Sequence, residues 1–248
     1  MAEQDDTAAT PAHDEPTTSR HAVARPPGAA MRFDDAEPLT IILLRHGVTP
    51  FTLSGAYSGG GVPGPGLTGH GRIQAARAAD LVHRVGRQLW QDLPRPRVVV
   101  ASPMVRTQET AASVGRRLGR SIETDPAFAE CDFGDWEGLT AAEVEERWPG
   151  DLRRWHETGT FRPPGGESIT DVGERVWAGV RTLVDAGVDR SVVVVSHSVA
   201  VRALIGTALG APASHWSRIR VAPASLSVVR VWPDNAAEAS VVGVPCEI

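Results

Sequence analysis

The chain has 248 residues, 42% of them hydrophobic and 22% charged, which is enough apolar material for one sizeable core and argues against disorder throughout or a membrane bundle. All 25 basic residues are arginine, so Schiff-base and Walker-lysine chemistry are excluded, and two cysteines far apart, Cys131 and Cys246, support neither a disulfide framework nor a structural zinc site. Eight acids against three arginines before Leu39 account for the whole net charge of −5, so the remainder is neutral and a basic nucleic-acid face is not indicated.

Residues 1–38 are rich in Ala, Thr, Pro and Asp and bury too little apolar surface to offset ordering entropy, so a disordered tail is expected there and a single domain over 39–248. The acidic start lacks an apolar leader, and no uninterrupted apolar run approaches the ~20 residues of a spanning helix, which predicts a soluble, cytoplasmic protein.

The domain opens with Thr40-Ile41-Ile42-Leu43-Leu44, a run suited to a strand buried on both faces, ending at Arg45-His46-Gly47. Ala75, Ala78, Val82, Val85 and Leu89 recur at helical steps. Val98-Val99-Val100 predicts a second buried strand, after which Ser102-Pro103 supplies an N-cap and first-turn signal and Thr107, Ala111, Val114 and Leu118 a helix face. Ser168-Ile169-Thr170-Asp171 resembles a capping box, opening a helix that Gly187 stops. Ser191 to Val195 is a β-branched strand ending at Ser196-His197-Ser198, followed by a helix through Val201, Leu204, Ile205 and Ala208 to Gly210. Leu226 to Trp232 closes the series as a strand, placed at a sheet edge. Buried strands alternating with amphipathic helices predict a three-layer α/β/α sandwich with a mostly parallel central sheet.

Two of these strands end at a histidine, His46 and His197, and the ligand crevice of such sheets lies beyond the carboxyl ends of the strands. If the strands are neighbours, the imidazoles converge. Arg45 adjoins His46, and Arg106 falls in the first turn of the helix after the second strand. Two guanidinium forks, two imidazoles and helix N-termini at one rim suit a phosphoryl group. An alternative pairs Arg106 with Glu109 along one helix face, and Glu109 is also a rival proton donor. His70 reads as a solvated helix-start residue. No G-x-S-x-G elbow accompanies Ser196 or Ser198, so these serines are expected to support the His197 loop by hydrogen bonding.

The ordered blocks Leu44-Arg45-His46-Gly47-Val48-Thr49, Leu67-Thr68 with Gly71 and Gln74, Ser102-Pro103-x-x-Arg106-Thr107, Glu130 before Phe133-Gly134-x-Trp136-Glu137-Gly138, Pro163 to Ser168, and Val195-Ser196-His197 resemble the histidine phosphatase superfamily, the phosphoglycerate mutase-like proteins. The likeness is greatest to its small-molecule phosphatase branch, such as α-ribazole phosphatases and actinobacterial acid phosphatase domains. The resemblance implies a phosphoglycerate mutase-like fold and a phosphomonoesterase acting on a sugar-, nucleoside- or ribazole-type phosphate. It makes His46 the nucleophile, Arg45 and Arg106 phosphate ligands, His197 a second pocket histidine charged when phosphate is bound, and Glu130 the proton donor. Thr52, where many relatives carry Asn, and Ser58 are further candidate phosphate ligands. Ser198-Val199 replaces a common Gly-Gly and makes that rim bulkier. No cofactor or metal is expected, the partner is a small phosphate ester rather than nucleic acid or membrane, and a homodimer is left open. The segment between Gly138 and Gly165, with Trp148, Trp155, Phe161, Arg147, Arg153, Arg154 and Arg162, is expected to cap the pocket and read the leaving group. The competing activities are a phosphoglycerate mutase and a non-catalytic phosphate-binding module.

Overall fold

The computed structural model describes residues 36–246. Its elements in chain order are β1 (Leu39–Arg45), α1 (Pro50–Ser54), α2 (Gly69–Arg84), β2 (Pro96–Ala101), α3 (Val105–Leu118), β3 (Ile122–Thr124), α4 (Ala141–Arg147), α5 (Asp151–Thr158), α6 (Ile169–Asp185), β4 (Arg190–Ser196), α7 (Ser198–Ala208), β5 (Leu226–Val231) and β6 (Ala237–Val244). The strands form one sheet in the order β3-β2-β4-β1-β5-β6. The first four in that order are parallel, and β5 and β6 are antiparallel additions.

The central strands are apolar on both faces, and the two-residue period sorts their side chains between two cores. Leu39, Ile41 and Leu43 of β1 and Val192 and Val194 of β4 join Val172, Val176, Val180, Val201 and Leu204 of α6 and α7. Ile42, Leu44, Val193 and Val195 point the other way, onto Ala78 and Val82 of α2 and Ala111 and Val114 of α3. Each such Leu, Ile or Val is worth about 1.5–3 kcal/mol on full burial, so the β1–β4 pair anchors both layers. Among the described residues no helix is long and apolar enough to cross a membrane.

Three expectations change in detail. The helix read through Val85 and Leu89 ends at Arg84, because Val85 turns to an extended conformation and bridges to Leu89. The N-cap of α3 is Met104 rather than Ser102, whose hydroxyl lies 3.5 Å from the Met104 N–H and 2.7 Å from His197 Nε2. The closing strand β5 is internal: the chain reverses through Asp234-Asn235, with Asn235 at φ 67°, and β6 forms the edge. The predicted tail over 1–38 lies outside the described residues except for 36–38, and these are tied down by Trp232 Nε1 donating to Ala36 O and Asp189 N to Pro38 O.

Register fixes where the chemistry gathers. β1 and β4 pair residue for residue from Leu39↔Arg190 to Arg45↔Ser196, so the next residues on each, His46 and His197, emerge side by side. β2 pairs Ala101 with Val195, which places Ser102 at the same rim.

Candidate active site

The ladder continues one step past β1, His46 N donating to Ser196 O at 3.0 Å, and the two imidazoles meet edge to face with centroids 5.2 Å apart. His46 is 5% exposed, and its Nδ1 lies 2.7 Å from the Gly47 carbonyl oxygen. A carbonyl only accepts, so Nδ1 carries the hydrogen, and in the neutral ring the lone pair is on Nε2. Burial, followed by the charges of Arg45 and Arg106, holds the imidazole well below its ordinary value of 6.5, so the ring is neutral at physiological pH.

The Gly47 carbonyl is itself positioned by a backbone-to-backbone approach. A Cβ on Gly47 would meet Gly71 O at 2.4 Å, while Val48 N donates to Gln74 Oε1 and Gly47 N to Thr110 Oγ1. Gly47 and Gly71 thus let the start of α2 press on the loop that orients the nucleophile.

Arg106 is 1% exposed. Its Nε donates to His197 Nδ1 at 3.1 Å, and its Nη2 to Ser58 O and Gly59 O at 2.9 and 3.1 Å. The Arg106–Glu109 pair does not form: Glu109 instead accepts from Leu67 N and faces Arg72 at 3.6 Å. Glu109 is also absent from the residues lining the cavity, which weakens it as a proton donor.

His197 is fully buried between Arg106 and Ser102 Oγ, its Nε2 2.7 Å from that hydroxyl. Because Nδ1 accepts from Arg106, the proton of this ring resides on Nε2. Burial and then Arg106 lower its affinity for a second proton well below 6.5. The ring is therefore neutral, and it backs Arg106 rather than lining the cavity. Ser196 supports the loop by donating to Phe128 O at 2.7 Å, whereas Ser198 lies on the cavity wall.

Glu130, 5% exposed, is cradled by backbone donors: Oε1 accepts from the N–H of Cys131, Val199 and Ala200 at 3.1, 3.1 and 3.2 Å, and Oε2 shares the Val199 donor at 3.2 Å. The last two belong to the first turn of α7, whose N-terminus favours negative charge. The glycine-rich loop after Tyr57 closes on the same segment, Gly60 N donating to Cys131 O at 3.1 Å. A Cβ at Gly60 would strike Glu130 O at 2.5 Å. Arg175 braces the far side, donating to the carbonyls of Ala127, Ala129 and Glu130 and pairing with Glu167.

His46, Arg106 and Glu130 face one cavity of about 340 Å³, lined also by Arg45, Thr52, Ser58, Phe51, Tyr57, Phe133, Trp155, His156, Ser198, Val199 and Arg202 among others. Arg45 donates through Nη1 to Val221 O at 2.7 Å. Burial pushes it down to about 10, opposed by Glu130, so it stays charged at neutral pH. Arg45 Nε, Arg106 Nη1 and Ser58 Oγ are buried without a hydrogen-bond partner, and the last two lie beside Gly64, whose missing Cβ leaves them room. Thr52 reaches the wall, but its hydroxyl and N–H form a reciprocal box with Thr49 that caps α1.

Of the segment expected to cap the pocket, Trp155 contributes and its neighbour His156, not singled out from sequence, contributes too. Phe161 stacks on Trp136 under the Arg154 guanidinium, Trp148 packs against the core, and Arg162 makes a two-fold ion pair with Asp171. Sequence reasoning also missed Arg202 and the Ser102–His197 bond. Arg202 was legible from spacing, since it lies one helical turn from Ser198 and Val199.

Known proteins resemble this chain in sequence and in fold. The family described as the histidine phosphatase superfamily (branch 1) matches residues 41–242. A bifunctional protein of Mycobacterium tuberculosis is 37% identical over 205 residues, covering 83% of this chain and 54% of its own length, so the chain spans about half of that relative. A glucosyl-3-phosphoglycerate phosphatase of Mycolicibacterium vanbaalenii is 33% identical over 183 residues, covering 71% of this chain and 76% of its own. The solved structure of a mycobacterial glucosyl-3-phosphoglycerate phosphatase with VO3 superposes with a TM-score of 0.72 at 30% identity, covering 83% of this chain and 98% of that one. With the family match spanning most of the domain and a relative above 30% identity matched over three quarters of its length, the chain belongs to the histidine phosphatase superfamily, branch 1.

Proposed function

We propose that the chain is a phosphomonoesterase that hydrolyses a small phosphate ester through a phosphohistidine on His46. The observation that carries this reading is the 2.7 Å contact from His46 Nδ1 to Gly47 O, which leaves a neutral ring with its Nε2 lone pair free in a cavity it shares with the half-buried Arg45 and the buried Arg106. In the first step Nε2 attacks phosphorus and the P–O bond to the leaving group breaks. The departing oxygen takes a proton from Glu130. Arg45 and Arg106 offset charge on the phosphoryl oxygens in the loose transition state, and His197 with Ser102 holds the Arg106 fork in register. In the second step water attacks phosphorus and gives its proton to Glu130. The P–N bond breaks, its electrons return to Nε2, and alcohol and inorganic phosphate are the net products. Ser58 and Thr52, both on the cavity wall, are the auxiliary hydroxyls of the phosphate subsite.

The test is phosphate release from a panel of phosphorylated metabolites that spans sugar, nucleoside and ribazole-type phosphates. Inorganic phosphate appearing in step with loss of ester supports the reading. Isomerisation with total phosphoester conserved would replace it with a mutase, and binding without any turnover with a phosphate-binding module.

A further inference from the structure

Glu130 sits on a stretch of chain that makes no ladder of its own. Residues 129–133 form neither helix nor strand, yet Phe128, Glu130 and Cys131 are buried, so the backbone carbonyls there need donors from elsewhere. Side chains supply most of them. Arg175, on α6, donates through Nη1 to Ala127 O and Ala129 O at 2.9 and 3.1 Å and through Nη2 to Glu130 O at 3.2 Å. The Phe128 carbonyl, which Arg175 passes over, accepts from Ser196 Oγ at the end of β4 at 2.7 Å. Cys131 O accepts from Gly60 N, and Asp132 O from Glu167 N. From 127 to 132 every carbonyl is therefore engaged.

Arg175 has nothing left for a ligand. Its Nε meets Glu167 Oε1 at 3.0 Å and its Nη2 also meets Glu167 Oε2 at 2.9 Å, so with the three carbonyls all five N–H donors of the guanidinium are spent. It does not line the cavity. Glu167 in turn accepts from Asp132 N at 2.9 Å, which ties the fork to the chain on the other side of Glu130. One helical turn along α6, Gly179 makes a second close approach: a Cβ there would stand 2.7 Å from Ala127 Cβ and 3.1 Å from Phe128 Cζ. α6 thus presses on this segment at two successive turns, and the Arg175–Glu167 pair holds the peptide groups before and after Glu130.

The consequence is geometric. Backbone donors of Cys131 and α7 orient the Glu130 carboxyl, but the point from which its side chain departs is set by the main chain that Arg175 clamps. A misplacement of about 1 Å at a reacting group costs on the order of 10²-fold in rate. We infer that Arg175, locked by Glu167, is the positioning residue of the proton donor, governing protonation of the leaving group through the backbone around Glu130 and without touching substrate. This rests on the reading of Glu130 as proton donor in a phosphomonoesterase.

The experiment measures phosphoenzyme formation by rapid quench on the full chain, with glycerol 3-phosphate and p-nitrophenyl phosphate, in the unmodified protein, Arg175→Lys, Glu130→Gln and the double variant. An ammonium keeps the charge but has three donors in place of five and no fork. Arg175→Lys should slow the alkyl ester about 10- to 100-fold and the aryl ester less than about threefold, because a nitrophenolate departs with little help. On the Glu130→Gln background the same substitution should slow the alkyl ester less than about threefold, since the group it positions is already disabled. Glu167→Gln, which removes one side of the lock and leaves Arg175 in place, should show the same selectivity at smaller size, and it carries the test if Arg175→Lys does not fold. Equal slowing of both esters, or the same factor with and without Glu130, would overturn the inference and leave Arg175 a purely structural residue. Glu130→Gln slowing both esters alike, or no phosphate release from either by the unmodified protein, would instead remove the reading beneath the inference and the inference with it.

Discussion

Replacing Glu130 by Gln separates its structural work from its chemical work, because the cradle around it is so specific. Oε1 takes three backbone donors, and the one donor on Oε2, Val199 N–H, is shared with Oε1. A glutamine that puts its carbonyl oxygen in the Oε1 position keeps all three donors satisfied and loses one long, bifurcated contact together with the negative charge at the start of α7. The folding cost is therefore about 1 kcal/mol. The catalytic cost is larger, since a positioned general acid is worth about 10²- to 10⁴-fold, or about 3–5 kcal/mol of barrier. It must also depend on the leaving group, as a nitrophenolate departs with little help and an alkoxide does not. Rapid-quench measurement of phosphoenzyme formation should show the alkyl ester slowed at least about 100-fold and p-nitrophenyl phosphate less than about 10-fold. A thermal melt should show a fold little changed. Equal slowing of both esters would refute the assignment of Glu130 as proton donor.

The two buried imidazoles predict an acid-sensitive fold. Both have folded-state values depressed well below 6.5, so the unfolded chain binds more protons as pH drops. Their stability contribution is complete above the unfolded value and is lost as pH falls through 6.5 toward the folded values, at up to about 1.4 kcal/mol per pH unit for each ring. Urea unfolding between pH 7.5 and 5.5 should show this slope, and His46→Asn should reduce it; an unchanged slope in the variant would contradict neutral burial of His46. Arg106→Lys cannot serve His197 Nδ1, Ser58 O and Gly59 O together, and losing two charge-assisted bonds of about 1.5–3 kcal/mol each should lower kcat/KM by about 100-fold or more; retention within about threefold would argue against its place in the site. In Gly71→Ala the new Cβ would face Val48 O at 2.1 Å, so the contact between α2 and the loop after β1 must open. That should cost about 1–3 kcal/mol in denaturant unfolding and lower kcat through displacement of Gly47, and a variant as stable as the parent would show that the approach is not strict.

Much of the architecture was legible because burial on two faces leaves a local signature. The apolar runs at Thr40–Leu44 and Ser191–Val195 gave the central strands, and their endings gave the histidine pair once the strands proved adjacent. The capping box at Ser168 and Asp171 formed as the spacing implied. What sequence missed depends on contacts between distant residues. Ser102 carries an N-cap signal, yet its hydroxyl is taken by His197 from the neighbouring strand, 95 positions away. The tautomer of His197 follows from which of its nitrogens Arg106 addresses, a fact of geometry with no local correlate. β6 went unseen because its residues are half exposed and its alternation is interrupted by bulges against β5. In the capping segment composition pointed to indoles and arginines alike, and packing sent Trp148 and Phe161 to the core while Arg154 and Arg162 found partners outside the cavity.

The account stands most directly on the fate of His46. Brief exposure of the full chain to a ³²P-labelled phosphate ester, followed by alkaline quench and peptide mapping, should find the label on the peptide holding His46, stable in base and released in acid, and His46→Ala should lose both label and turnover. Label on another residue, or turnover surviving in His46→Ala, would contradict the phosphohistidine mechanism.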